Sequence, residues 1–385
     1  MNVIISSLCK ENRYVSIRSA NRILGAALAI LGCHTVAHAQ SSVTLYGIID
    51  TGLLYTNNYA GSARTAISTM QTSSKYGLQG SEDIGGKMKI IFDLEGGFNP
   101  GTGALSSAGL MFAKRTYIGL SSPYGTLTVG RQYSAMLDWV HWFSVNQIFA
   151  GGIPGLYVND VDDVGGDMHF NNTIKYKSPD FNGVSFGGQY TLGGQAGNFS
   201  TDSAWGAGAA YAGSVFGAGV AYQHIQNPST YTAYPNTATY TNVFWGAAVA
   251  AAQKQDIFAA GAYANWGSLT TALLYSRVTF TSPGKTILAK FNNYQIGASY
   301  SFGPAIQVGA FYIFSDQTTA GVNEHAHIQQ IGLVGHYFLS KSTDLYALTS
   351  AQAVGGSLHQ AQQIALQPST TSRQFIAGVG IRKRF

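Results

Sequence analysis

Residues 87–98 read KMKIIFDLEGGF. Met88, Ile90, Phe92, Leu94 and Phe98 fall on one parity, and Lys87, Lys89, Asp93 and Glu95 on the other. A period of two is that of a β-strand, whose successive side chains point to opposite faces. A slip of one residue would carry the four charges to the apolar side, so the register is strongly specified. In a soluble sandwich the charged face meets bulk water; in a barrel set in lipid it meets the lumen.

Composition separates the two cases. Only 10% of the 385 residues are charged, while Gly (47) and Tyr (23) are abundant; a soluble domain carries about 25% charge. After residue 40 no window offers the roughly 20 uninterrupted apolar residues of a membrane helix. Low charge without a membrane helix suits a barrel, whose signal is weak per segment and accumulates over many.

Outward from 87–98 the alternation recurs. Val43, Leu45, Ile49, Leu53 and Tyr55 oppose Thr44, Tyr46, Asp50 and Gly52. Phe186, Gly188, Tyr190 and Leu192 form another apolar row, as do Phe216, Ala218, Val220 and Tyr222. Tyr294, Ile296, Ala298, Tyr300 and Phe302 form a third, and Ile306, Val308, Ala310, Tyr312 and Phe314 follow the turn signal Gly303-Pro304. Tyr and Phe gather at the ends of runs, as an aromatic girdle requires. Many positions of the opposite parity are Gly, Ala, Ser or Thr, which predicts a lightly filled, watery interior. Runs start near 43, 67, 85, 110, 125, 169, 183, 203, 215, 256, 268, 290, 304, 325, 343 and 372. Sixteen strands lie in the range that leaves an aqueous channel. The expected fold is all-β, a 16-stranded antiparallel transmembrane β-barrel. The last run, RQFIAGVGIRKRF, ends on Phe385 and has to pair with the first, because an open edge does not survive in lipid.

The N-terminus is of another kind. Lys10, Arg13, Arg18 and Arg22 precede the apolar run 23–32, and Ala37-His38-Ala39 has an A-x-A cleavage pattern. Residues 1–39 are expected to be a signal peptide and 40–385 the barrel. Cleavage removes four of 22 basic and one of 17 acidic residues, leaving a net +2, and takes both cysteines, Cys9 and Cys33. So small a charge gives no case for nucleic acid, and no disulfide or cysteine-bound metal follows. No cofactor or metal is expected.

Short turns are expected at 81–86, 123–125, 179–183 and 340–342, and longer segments at 99–109, 133–168, 226–254 and 355–371, facing out of the cell. Within 226–254, VFWGAAVAAAQ fits either a short helix or a strand. Residues 133–168 are the longest break in the pattern, with two tryptophans and five aspartates and no clean period. Loops this long in a compact domain are usually functional.

The mature chain resembles the Gram-negative general porins of the β-proteobacterial type. The resemblance rests on VTLYGIIDTG (43–52), SKYGLQGSEDIGG (74–86), FDLEGGF (92–98), RTYIGL (115–120), GRQ (130–132), NNTIKYKSPDFNGVSF (171–186), FLSKSTDLY (338–346) and terminal Phe385. It implies a homotrimer in outer-membrane lipid and lipopolysaccharide, passing small hydrophilic solutes and ions by diffusion. It also implies an inward-folded third extracellular loop at 133–168 and, at Phe385, a signal read by the outer-membrane assembly machinery.

The same resemblance puts Lys75, Lys114 and His169 on a basic wall where relatives commonly carry Arg. Parity agrees for Lys75 and His169; for Lys114 the strand has apolar residues on both faces. Arg131 has the outward parity of Leu127 and Val129, which makes it a candidate for a subunit interface unless a bulge intervenes. Relatives often have an acid in the turn where this chain has Pro154-Gly155-Leu156-Tyr157. Asp160, Asp162 and Asp163 are the candidate replacements, against a solvated acidic turn or a cation site. With Lys and His in place of Arg, the narrowing is expected to owe more to Trp139, Trp142, Tyr157 and loop volume than to a strong field.

Two other functions fit the sequence less well. A barrel hydrolase needs a nucleophile paired with a base, and none is local to the histidines; His325 and His327, beside Glu324, read as surface. The other is a substrate-selective channel, for a sugar or for an anion such as phosphate; a sugar channel needs lumenal aromatics, whereas most here have outward parity. A purely structural barrel would need a plugged lumen.

Overall fold

The computed structural model describes residues 42–385 apart from 108, 157, 199, 230–241 and 320–323. The expected signal peptide and Tyr157 lie outside the described residues. Six strands precede the long segment: β1 (Ser42–Tyr59), β2 (Ser62–Ser68), β3 (Lys75–Gly85), β4 (Met88–Gly97), β5 (Arg115–Ser122) and β6 (Gly125–Tyr133). After it come β7 (His169–Lys177), β8 (Val184–Thr191), β9 (Ala204–Ala212), β10 (Phe216–Gln226), β11 (Lys254–Trp266) and β12 (Leu269–Thr281). The chain ends with β13 (Ile287–Phe302), β14 (Ile306–Thr319), β15 (Glu324–Ser340), β16 (Thr343–Gly356) and β17 (Arg373–Arg384).

From β3 onward each strand pairs antiparallel with the next, and β17 returns to β1 over Ile48–Thr56. Sixteen barrel strands arise from seventeen segments because β2 and β3 share one position. Ser42–Ile48 of β1 pair with β3, and Gly52–Thr56 with β2. The break between them, 69–74, is held by Asp50 of β1. Its carboxylate accepts backbone N–H groups from Gln71 (3.0 Å) and Thr72 (2.7 Å) and the Tyr346 hydroxyl (2.5 Å). This turns Met70 and Gln71 inward, where both are buried.

The outward face is apolar and exposed along every side, as at Val43, Leu45, Ile118, Val129, Leu273, Ile296 and Leu333. The four longer segments all emerge at one end, and the turns at 86–87, 123–124, 267–268 and 341–342 at the other. One expected turn is corrected: β3 runs through 81–85, with Ser81, Glu82 and Asp83 opposite Ile91, Ile90 and Lys89. Asp83 facing Lys89 is an opposite-charge cross-strand pair, which favours strand over loop. The ambiguous stretch in 226–254 includes a short helix, Gly246–Ala251.

Candidate functional site

Residues 134–168 follow the fifth barrel strand and run along the inner wall. Ser134 caps a short helix, Ala135–Trp139, and single turns follow at 141–143, 146–150 and 152–155. The segment is too short in each piece to be stable alone; inward side chains of the wall hold it. Gln223 on β10 accepts the Ala135 N–H (3.3 Å), and Gln295 on β13 accepts that of Val145 (2.9 Å) and donates to the Gly155 carbonyl (3.0 Å). Gln330 on β15 donates to the Pro154 carbonyl (2.6 Å). His336 reaches the Phe149 carbonyl (2.9 Å) with one ring nitrogen and Asp344 (3.0 Å) with the other. At the far side, Gly152 and Ile153 donate to the carbonyls of Gln71 and Met70. The return limb passes Trp245, whose indole N–H meets the Val158 carbonyl (2.8 Å), and Ser276, which donates to Asp162.

The small inward residues have a use that parity alone misassigned to open water. Gly187, Gly208, Gly217, Gly219, Gly261, Gly297 and Gly309 form a groove across β8–β14. Trp139, Phe143, Val145 and Phe149 of the loop fill it. A Cβ on Gly187 would stand 2.9 Å from Trp139 Cζ2, one on Gly217 3.0 Å from Phe143 Cε1, and one on Gly297 2.5 Å from Val145 Cγ1. The wall is hollow where the loop is bulky, and the two together form a close-packed layer.

The loop packs against the later strands and reaches β7 through Asp138, and the charge is carried by the inner faces of β3–β7 and the end of β17. Asp93 and Glu95 are buried in the wall. Glu95 binds Lys75 (3.0 Å) and accepts the hydroxyls of Tyr133 (3.0 Å) and Tyr46 (3.1 Å). Asp93 binds Arg115 (3.1 Å) and accepts the Tyr46 hydroxyl (2.6 Å). The Arg115 guanidinium also lies 5.0 Å from the Tyr133 ring centroid, within cation–π reach. Lys175 bridges to Asp138 on the loop (2.5 Å). On β17, Arg382 makes a two-nitrogen pair with buried Asp344 (3.0 and 3.1 Å), and Arg384 stands 3.7 Å from the same carboxylate. The acids lie beneath and the cations above: side-chain exposure is 34% for Arg115 and 42% for Arg384, against 4% for Asp93 and none for Asp344.

The structure places the candidate residues as follows. Lys75 stands on this wall, with Lys114 at its edge. His169 is corrected: it is buried, its ring 4.5 Å from that of Tyr133 and its Nδ1 2.9 Å from the Asp167 carbonyl, so it supports the wall from behind. Asp160, Asp162 and Asp163 are corrected too: all three are buried, Asp160 and Asp163 against the loop's own backbone and Asp162 against Ser276 of the wall. Asp160 accepts the N–H groups of Gly165 (2.6 Å) and Asp167 (3.2 Å), and Asp163 that of Met168 (2.7 Å). Burial pushes the carboxyls of Asp160 and Asp163 well above the usual carboxylate range. The loop acid left exposed is Asp167. Trp139 packs into the groove, and Trp142 is 56% exposed.

Arg131 keeps its outward parity opposite Thr116, although β6 has a register shift against β7 between Gly130 and Gln132. It is nine-tenths buried, donating to the Ala113 carbonyl (2.5 Å) and to Asn171. Phe385 is half-exposed beside Gly47. His325 and His327 are exposed on the outward face of β15. Arg115, Arg382, Arg384 and buried Asp344 are members of the wall that spacing did not single out, and Asp93 and Glu95, which the alternation of 87–98 puts on the charged face, gain their role only from the salt bridges. The available signal for Arg115 was its shared parity with Tyr117 on β5.

A family model described as Gram-negative porin matches residues 26–350. The chain is 32% identical to outer membrane porin protein 32 of Delftia acidovorans, over 83% of this chain and 86% of that one. It is 27% identical to an outer membrane porin protein of Bordetella pertussis, over 94% of this chain and 100% of the relative. Among solved structures, an anion-selective porin from Comamonas acidovorans aligns with a TM-score of 0.72 at 26% identity, over 90% of this chain and 100% of that one. With that match along most of its length, and with its strands closed into a sixteen-stranded barrel, the chain belongs to the Gram-negative porin family and is an outer-membrane porin.

Proposed function

We propose that this porin passes small hydrophilic solutes and ions by diffusion with a weak preference for anions, and that it works as a homotrimer after loss of residues 1–39. The observation that carries the ion preference is the layering of charge on the charged wall. Lys75, Arg115, Lys177 and Arg384 reach the open space, while Asp50, Asp93, Glu95 and Asp344 are buried beneath them. A passing ion meets the cations at shorter range, and Coulomb energy falls with distance and with the dielectric between charges. The buried acids still cancel most of the far field, hence a weak preference. The Comamonas relative is named as anion-selective, in the same sense.

The trimer is supported by asymmetry of the outer face. Strands β4–β9 have 8–10 residues and β11–β16 have 13–17. The outward face of the short side and of β1 is mainly aliphatic, with Leu45, Ile49, Leu53, Ile118, Leu127 and Val129 exposed. Arg131 lies on this side. A channel rather than an enzyme follows from the family and the fold.

Single-channel recording in planar bilayers tests the reading. Pure protein is expected to give discrete conducting steps, with a reversal potential in a salt gradient displaced toward the anion. Absence of steps overturns the channel, and displacement toward the cation overturns the anion preference. Charge reversal at Lys75 is expected to move the reversal potential toward cations; no movement removes Lys75 from the narrow passage.

A further inference from the structure

Two further segments fold back into the barrel at the long-loop end. Residues 242–252 lie between β10 and β11, and residues 357–371 between β16 and β17. Neither contains Asp, Glu, Lys or Arg. Phe244, Trp245, Ala252, Ala361, Gln363 and Ser369 in them are buried. So are the inward residues of the wall behind them, Gln255, Phe280, Gln317, Ile328, Val354 and Gln374. Over this arc the wall above the loop 134–168 meets protein and not water. The opposite side stays open: Lys75 and Arg115, at the long-loop ends of β3 and β5, keep 21% and 34% of their side chains exposed.

Backbone folded inside a barrel has to find hydrogen-bond partners, and inward glutamines supply them. Gln317 on β14 donates to the Phe244 carbonyl (2.9 Å). Gln374 on β17 accepts the Gln363 N–H (2.7 Å) and donates to the Gln367 carbonyl (2.9 Å). The Ala60 N–H, at the tip of the β1–β2 hairpin, donates to the Pro368 carbonyl (3.1 Å). A neutral amide suits this task because it both donates and accepts and brings no charge into a buried site.

One chain of bonds joins the two segments to the loop below. The Val243 N–H donates to Gln362 Oε1 (3.0 Å), and the Gln362 N–H to Gln352 Oε1 (2.7 Å). Gln352 Nε2 donates to Gln330 Oε1 (3.0 Å), and Gln330 Nε2 to the Pro154 carbonyl (2.6 Å). Every bond runs in the same sense, so each amide polarises the next. Trp245 makes the other tie. Its indole N–H meets the Val158 carbonyl (2.8 Å), and its ring stacks on that of Phe280 at 6.0 Å.

We propose that residues 242–252 and 357–371 form a second narrowing above the loop, which sets the largest solute the porin admits, and that Trp245 and Gln362 are the positioning residues that hold it. The proposal rests on the reading of the chain as a diffusion channel and not on its ion preference. Width and charge are divided between two sides of the entrance. The folded-back layer has no carboxylate, ammonium or guanidinium, so it excludes by bulk. The charged wall opposite acts on ions through its field. Solutes pass between the two, alongside Lys75 and Arg115.

The test measures liposome swelling with a monosaccharide, a disaccharide and a trisaccharide, beside single-channel conductance and reversal potential. It compares wild type with the double variant Trp245→Ala, Gln362→Ala, with Lys75→Glu as the measure of a charge effect. Folding is checked by heat-modifiable migration. In the double variant the disaccharide-to-monosaccharide rate ratio is expected to rise several-fold and the conductance with it, while the reversal potential stays where it was. An unchanged ratio in the folded variant overturns the proposal. So does a reversal potential displaced as far as by Lys75→Glu, which would put the effect in the charged wall. If the double variant does not fold, Trp245→Phe and Gln362→Ala, each removing one tie, replace it with the same expectation at smaller size. Wild type that neither conducts nor swells with the monosaccharide strikes the channel reading. Wild type that does both, with variants that keep its size dependence, overturns this proposal alone.

Discussion

Phe385 and Gly47 exchange two backbone hydrogen bonds, each N–H to the other's carbonyl, both at 3.0 Å. The last residue of the chain thereby closes the barrel on its first strand. Closure leaves no room for a side chain at residue 47: a Cβ there would stand 2.5 Å from Phe385 Cζ and 2.6 Å from the Lys75 carbonyl oxygen. Gly47→Val is expected to cost about 1–3 kcal/mol through overpacking, read as a lower temperature for loss of the heat-modifiable folded band. Deleting Phe385 removes both bonds and is expected to lower assembled protein in cells more than refolded yield in detergent, if the residue also serves as the assembly signal. Equal losses in the two settings would leave Phe385 a closure residue alone.

The glycine groove makes the passage width depend on residues that never touch the solute. Gly297→Val intrudes on Val145 and Phe149 of the loop. An overpacked contact of this kind costs about 1–3 kcal/mol, comparable to the seating of one short loop segment. The expected result is a larger and noisier single-channel conductance with the barrel itself intact. Unchanged conductance would show that the loop reseats at no cost.

His336 joins the loop to the charged floor of the wall, touching Phe149 on one side and Asp344 on the other. His336→Leu keeps most of the volume and removes both links. Asp344 retains Arg382 and Arg384, so the barrel should persist. A lost buried hydrogen bond is worth about 1 kcal/mol, and a stranded carbonyl about 1–3 kcal/mol more. Fluctuations of the open-channel current are expected to increase, and protease sensitivity within 146–155 with them. Wild-type noise in this variant would remove His336 from the set of loop anchors.

Loop docking should also depend on pH. Burial raises the Asp160 and Asp163 carboxyls in the docked loop, so the docked form holds its protons more tightly than the free one. Docking is then strongest below the free carboxyl value near about 4 and weakens as pH rises through the raised values. Amide exchange at Gly165 and Met168, corrected for intrinsic rates, is expected to be better protected at pH 4.5 than at pH 7. A tenfold gain in a carboxyl's proton affinity on docking corresponds to about tenfold in protection. Asp163→Asn should flatten the profile at Met168. A wild-type profile that falls with acid would reverse the assignment.

The strand count, the outward face, the pairing of the two ends and the position of the long loop follow from parity and from the spacing of turns. A strand's two faces are written into alternate residues, and lipid tolerates only one of them. The short-range pattern of 87–98 carries all of that for its own strand. What parity left open was which inward position meets water and which meets protein. Glycines at 208, 219, 297 and 309 look alike to a lumen and to a socket until Trp139, Phe143, Val145 and Phe149 are placed, because the contact joins residues far apart in the chain. The aspartates of 160–163 could face the pore or their own backbone, and the N–H groups of Gly165, Asp167 and Met168 turn Asp160 and Asp163 inward. His169 had the parity of a wall residue and lost its exposure to Tyr133 and Asp167. Side-chain direction is local and therefore legible along a strand. Depth beneath a neighbouring segment is a property of the closed barrel, and only the tertiary structure decided which charges the pore meets.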